Sequence, residues 1–123
     1  MSKISIVDLE VFYCVGVSDQ ERANPQRLLL TVEMGFDITS AALSDRIERT
    51  IDYFEVSQRL LKHGEGRSWK LLERLVSNLC DLILAEYMVQ SVSVTVKKFV
   101  IPEARYVSVQ LARRRTGESK FGA

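Results

Sequence analysis

Histidine is almost missing from this chain: among 123 residues His63 stands alone. A single imidazole excludes multi-histidine zinc sites and leaves any histidine-based nucleophilic triad resting on one residue. His63 falls near the C-terminal end of a helical segment, where a surface group compensating the helix dipole accounts for it. Cysteine is nearly as scarce, with Cys14 and Cys80 alone. They offer neither metal-ligand spacing nor a disulfide framework, and both read as small core residues kept reduced. An excess of one charge is also lacking, since 17 Lys and Arg stand against 16 Asp and Glu. No strong field therefore points to nucleic acid or to a membrane. The expected partner is a small molecule or another copy of the chain. No apolar run approaches the roughly 20 residues of a membrane span. Met1-Ser2-Lys3-Ile4-Ser5 opens without a signal-peptide core, so a cytoplasmic protein is expected. Repeats and low-complexity linkers are absent too, and the length suits one domain over residues 1–115 with a polar tail, 116–123, expected to fray.

What is present is a regular alternation of pattern. Ile4 to Val17 reads as a strand whose apolar phase shifts from Ile4 and Ile6 to Leu9, Val11, Tyr13 and Val15, which predicts a β-bulge near Val7-Asp8. Leu28, Leu30, Val32, Met34 and Phe36 alternate without a slip. The connecting segment Ser18 to Gln26 is longer than a hairpin needs, and such loops often carry function. Ser40 to Ser44 allows a short helix, and Asp52-Tyr53-Phe54-Glu55 is a capping box for a helix ending near Gly64. Ser68 to Tyr87 reads as a long helix with Ser68 as its N-cap, and strands follow at Val89 to Phe99 and Ala104 to Arg115. The order is ββααββ: an α+β layer, a four-stranded antiparallel sheet with two main helices on one face. Its long edge strands are an association hazard that a ring of subunits would remove, so a homo-oligomer is expected.

Two charges stand out against this pattern. In Val92-Ser93-Val94-Thr95-Val96-Lys97-Lys98, strand parity puts Lys98 on the face of the three valines and Lys97 on the other. An inward ammonium is costly unless it is paired or used, and desolvation turns it toward a general base. A strand ending at Val96, with Lys98 snorkelling to water, is the simpler reading of this segment alone. At helical spacing, however, Glu73 falls among Trp69, Cys80 and Leu84 on the apolar arc of the long helix, while Arg74 sits with the solvated residues. Taken alone, Glu73 would be a flank residue reaching water or a partner for a lysine on the sheet. A carboxylate and a lysine both turned inward are a candidate site.

The pieces Val15-Gly16-Val17 with Glu21 and Gln26, then Ser44-Asp45, Asp52-Tyr53, Leu71-Leu72-Glu73-Arg74-Leu75 and Val94-x-Val96-x-Lys98 follow one another over most of the chain. In order and spacing they resemble dihydroneopterin aldolase of folate biosynthesis. The resemblance implies the tunnelling fold, in which four ββααββ subunits close a sixteen-stranded barrel and two rings stack as an octamer. It also implies that Glu73 accepts hydrogen bonds from the amino group and ring N–H of a pterin, with the Leu72 backbone holding the ring. Lys98 would be the acid/base, acting through a water on the side-chain hydroxyl whose deprotonation starts a retro-aldol cleavage. Tyr53 would assist proton transfer to the enol, and Glu21 would contact the side-chain end of the substrate. Such a site combines adjacent subunits and needs no Schiff base, metal or cofactor, because the pterin ring is the electron sink. Without the resemblance, Tyr53 reads as an exposed first-turn aromatic and Glu21 as a solvated loop charge.

The chain departs from the family at Lys98-Phe99-Val100-Ile101-Pro102, where the family sets proline directly after its lysine, and at Val15, where many members carry histidine. Counting back from the last strand selects Lys97; strand parity and the spacing from Glu73 select Lys98. Dihydroneopterin triphosphate epimerases also lack that proline and share the catalytic set. An epimerase is therefore the alternative to the aldolase, and a non-catalytic pterin- or purine-binding ring the further alternative. A triphosphate would ask for cations at the site mouth, for which Lys62, Arg67 and Arg105 are candidates.

Overall fold

Period-two apolar patterning builds the sheet, and helical patterning covers one side of it. The computed structural model describes residues 1–116, so the polar tail beyond Thr116 lies outside the described residues. In chain order the elements are β1 (Ser2–Val15), α1 (Asp19–Arg22), β2 (Gln26–Phe36), α2 (Thr39–Ser44), α3 (Tyr53–Lys62), β3 (Ser68–Trp69), α4 (Leu72–Glu86), β4 (Ser91–Lys98) and β5 (Val107–Arg114). A 3-10 turn at Ile47–Arg49 separates α2 from α3.

The sheet order is β3-β1-β2-β4-β5. Pairing is antiparallel from β1 to β5, whereas β3 runs parallel to β1 through Cys14 with Ser68 and Val15 with Trp69. The expected phase shift in β1 is a real bulge: the register slips between Ile6 and Leu9, and Asp8 takes the left-handed conformation at φ 55°. The N–H of Asp8 is satisfied by Thr31 Oγ1 at 3.1 Å.

Leu28, Leu30, Val32 and Met34 of β2 and Val92, Val94 and Val96 of β4 form the buried face. Helix α4 lays Leu75, Val76, Leu79, Cys80 and Ile83 over β4 and β5, and α3 lays Val56 and Leu60 over β1. Burial of each large apolar side chain contributes about 1.5–3 kcal/mol. The Asp52 cap forms as the sequence suggests, its carboxylate accepting from Phe54 N at 3.1 Å and Glu55 N at 3.2 Å.

The structure corrects three expectations. The sheet has five strands, because Ser68-Trp69 pairs with the edge of β1 in place of opening the helix. Helix α4 consequently begins at Leu72, with Leu71 at its N-cap and no side-chain cap from Ser68. The last two strands are shorter at their junction, where Pro102 occupies the second position of a turn closed by Ala104 N to Ile101 O at 3.0 Å. Arg113 and Arg114 lie in β5, and Arg115 donates to Leu84 O at 2.6 Å and Tyr87 O at 2.9 Å, tying down the carbonyl end of α4. Among the described residues no helix is long and apolar enough to cross a membrane.

Candidate active site

The site is built where β1 runs out. Strand β1 ends at Val15, and Gly16 N donates to Trp69 O at 3.0 Å, so the short parallel strand fixes the exit of the chain. Ser18 then caps α1, its hydroxyl accepting from Glu21 N at 3.1 Å. This turn brings Glu21 back across Gly16: a Cβ on Gly16 would stand 2.3 Å from Glu21 Cβ. Two side chains lock the loop through its carbonyls. Arg22 donates to Gly16 O at 2.8 Å and Val17 O at 2.7 Å, and Gln26 donates to Val15 O at 2.6 Å and Glu21 O at 3.1 Å.

Lys98 enters from the other side, as the last residue of β4 and directly opposite Leu28. Strand parity is obeyed to the end, and Lys98 is buried at 8% exposure. Its Nζ donates to Glu21 Oε2 at 3.1 Å and to Val15 O at 3.3 Å. Two of the three ammonium protons are thereby engaged, and the third is available to a water or a substrate oxygen. The hydrogen bond and the charge of Lys98 lower the pKa of the Glu21 carboxyl, which favours its carboxylate form. Lys97 faces the opposite side of the sheet, bonded to Asp8 of the bulge at 2.9 Å and lying 4.8 Å from the Tyr106 ring centroid.

The inward pair expected from the sequence, Lys98 with Glu73, is not formed: the partner of Lys98 is Glu21. Glu73 is exposed in the first turn of α4. The physical reason is the displaced helix start: Trp69 belongs to β3, so the apolar arc drawn through it does not exist, and the buried arc is Leu75, Val76, Leu79, Cys80 and Ile83. There Glu73 stands beside the free N–H groups of the helix start, a favourable place for an anion. Leu72, half-buried, is the first residue of the same helix. Tyr53 opens α3 with its ring exposed, and among the described residues no hydrogen bond links it to Lys98 or Glu21. Of the cations suggested for a triphosphate, Lys62 ends α3, Arg105 lies in the β4–β5 turn, and Arg67 precedes β3; all three are exposed.

His63 is not a surface group. It terminates α3 as expected but is buried, with Nε2 2.8 Å from Asn78 Oδ1 and Nδ1 3.3 Å from Arg59 Nη1. Since the guanidinium can only donate, the ring is assigned as neutral with its proton on Nε2, and burial lowers its pKa accordingly. Cys14 and Cys80 are free thiols, half-buried and buried respectively. Gly16, Arg22 and Gln26 carry no signal of a role in the linear sequence. Their task is visible only once the loop carbonyls they accommodate and bind are in place. Among the described residues no three His, Cys, Asp or Glu side chains are grouped to hold a metal ion.

Comparison with known proteins identifies the family of the chain. The family model of dihydroneopterin aldolase matches residues 4–112. The dihydroneopterin aldolase of Haemophilus influenzae is 32% identical over 114 residues, spanning 92% of this chain and 97% of that one. A dihydroneopterin triphosphate 2'-epimerase of Pseudomonas aeruginosa is 27% identical over 116 residues and 94% of each chain. The crystal structure of Escherichia coli dihydroneopterin aldolase in complex with neopterin superimposes with a TM-score of 0.86 at 28% identity, over 92% of this chain and 99% of that one. The match runs from the first strand pair through the Glu21 loop and α4 to the lysine at the end of β4 and on into β5, and by it the chain belongs to the dihydroneopterin aldolase family.

Proposed function

We infer that the protein is a dihydroneopterin aldolase, cleaving dihydroneopterin to a hydroxymethyl-dihydropterin and glycolaldehyde in folate biosynthesis. The observation that carries the reading is the buried Lys98, held 3.1 Å from Glu21 at the end of the sheet in a chain of this family. Removal of the proton from the side-chain hydroxyl starts the reaction. The neighbouring carbon–carbon bond then breaks, its electron pair passes into the dihydropterin ring, and glycolaldehyde leaves. Protonation of the resulting enol gives the hydroxymethyl product.

In this reading Lys98 handles the first proton through an ordered water, and Glu21 fixes the ammonium and meets the side-chain end of the substrate. Glu73 offers two carboxylate oxygens to the amino group and ring N–H of the pterin, with the Leu72 backbone beside it. Tyr53 assists protonation of the enol. Support for a site shared between subunits comes from the exposure of Glu73 and Tyr53 on helix first turns, whereas Lys98 is buried. A ring of four, joined through the outer edges of β1 and β5 and stacked as an octamer, would bring such groups together. Reduced thiols and a small pterin substrate suit a cytoplasmic enzyme.

The epimerase reading is favoured by the Pseudomonas relative, which covers as much of this chain as the aldolases do. Both reactions share the first cleavage and differ in the fate of the fragment. Incubation with dihydroneopterin and with its triphosphate, followed by product identification, separates them. Hydroxymethyl-dihydropterin from the first substrate is the expected result. A stereoisomer of the triphosphate with little cleavage of either substrate would overturn it, and so would inactivity toward both with pterin still bound.

A further inference from the structure

A second groove opens beside β3, outside the Lys98 and Glu21 pair. It encloses about 650 Å³ and is lined by Arg67, Lys70 and Arg74 together with Ser68, Asn78 and Asp81. All three cations are exposed, and none of them enters an ion pair among the described residues. The one acid on the wall, Asp81, is already bonded to Arg113. A chain whose formal net charge is only +1 therefore concentrates three uncompensated positive charges in one concavity.

The groove borders the site through two connections. Trp69, one of the lining residues, accepts through its carbonyl the hydrogen bond from the N–H of Gly16, against which Glu21 is packed. Leu71, also on the wall, leads directly into Leu72 and Glu73.

We propose that this groove is a binding site for a polyphosphate group. Three cations around one concavity with hydroxyl and amide groups between them suit a compact, multiply charged anion with several acceptor oxygens. A nucleic acid strand fits less well, because Trp69 is buried and offers no face for base stacking, and the balanced overall charge provides no track for a backbone. The polyphosphate has two sources, the tail of a phosphorylated pterin substrate or a free polyphosphate. The first rests on the pterin reading above; the binding itself does not.

The test uses the purified oligomer with Arg67→Ala, Lys70→Ala and Arg74→Ala, singly and together, and inorganic tripolyphosphate as the probe in titration calorimetry. The wild type binds the probe, more weakly as salt rises. Each single variant loses about threefold in affinity and the triple about thirtyfold, while an Arg67→Lys, Arg74→Lys protein retains most of it. Turnover of unphosphorylated dihydroneopterin by the triple variant stays within about twofold of wild type, because the exposed side chains hold no part of the fold. A matching rise in KM for dihydroneopterin triphosphate, with competition by tripolyphosphate, identifies the tail as the ligand. An unchanged KM beside lost probe binding identifies a free polyphosphate. Wild type that does not bind the probe, or a triple variant that binds it as tightly as wild type, overturns the site. A protein inactive on dihydroneopterin would sink the aldolase reading and leave the calorimetric result standing.

Discussion

Gly16 has no room for a side chain, and that constraint extends to the proposed chemistry. A methyl group there would meet Glu21 Cβ at 2.3 Å and Glu21 Oε1 at 2.8 Å, so the carboxylate must swing away from Lys98. Misplacement of a catalytic group by about 1 Å can cost about a hundredfold in rate. Gly16→Ala is expected to lower kcat by about ten- to a hundredfold with a small change in melting temperature, as steady-state kinetics and calorimetry on the same sample would show. Glu21 carries a second prediction. Its carboxyl is held below the ordinary range by Lys98, so its stabilising contribution is full above the unfolded value of about 4.3 and is lost as the pH falls through the lower folded value. The melting-temperature advantage of wild type over Glu21→Gln should persist at pH 7 and vanish in acid; an advantage independent of pH would contradict it. Lys98 itself was legible from parity, since a two-residue period is local. Its partner was not, because Glu21 lies 77 residues away and reaches it only after β1, β2 and β4 have paired.

At the scale of elements, the bulge, the Asp52 cap and the alternation of β2 could all be read from local pattern. The start of α4 could not. Ser68 is an acceptable helix cap, but the edge of β1 captures Ser68-Trp69, and tertiary pairing outweighs local propensity there. The misplacement of Glu73 follows from that single boundary. Burial of His63 has the same kind of cause: Tyr13 and Trp69 arrive from distant parts of the chain, with ring centroids 6.4 and 5.7 Å from the imidazole. Around it, Arg59 pairs with Glu86 at 3.0 Å and Asn78 receives the imidazole, so α3 and α4 are joined by a polar layer. Burial depresses the His63 pKa, and a base held neutral in the fold stabilises it fully above the unfolded value of about 6.5 and progressively less below it. The melting temperature should therefore fall from pH 7 to pH 5, with a shallower slope in His63→Gln, which calorimetry across that range would reveal. Trp69→Ala removes the aromatic packing and loosens β3 at once. It is expected to cost about 3–5 kcal/mol in urea unfolding, together with activity, since the Gly16 exit loses its anchor.

The whole molecule presents a sheet with one face under helices and the other lined by cross-strand ion pairs, Lys3 with Glu33, Glu10 with Arg27 and Lys97 with Asp8. Such a face remains in water, which suits the inner wall of a water-filled ring, and the outer edges of β1 and β5 are where copies would join. Sedimentation should give a mass that is a multiple of four subunits; a monomer with full activity would contradict a site shared between them. In the proposed mechanism Lys98, and not its neighbour, performs the proton transfer of the retro-aldol cleavage. Glycolaldehyde release by the Lys98→Ala and Lys97→Ala oligomers, measured beside fluorescence titration with neopterin, separates the two lysines. A loss of about a hundredfold or more is expected for Lys98→Ala with pterin affinity largely kept, and near-normal release for Lys97→Ala. Full activity of Lys98→Ala, or loss in Lys97→Ala alone, would contradict it.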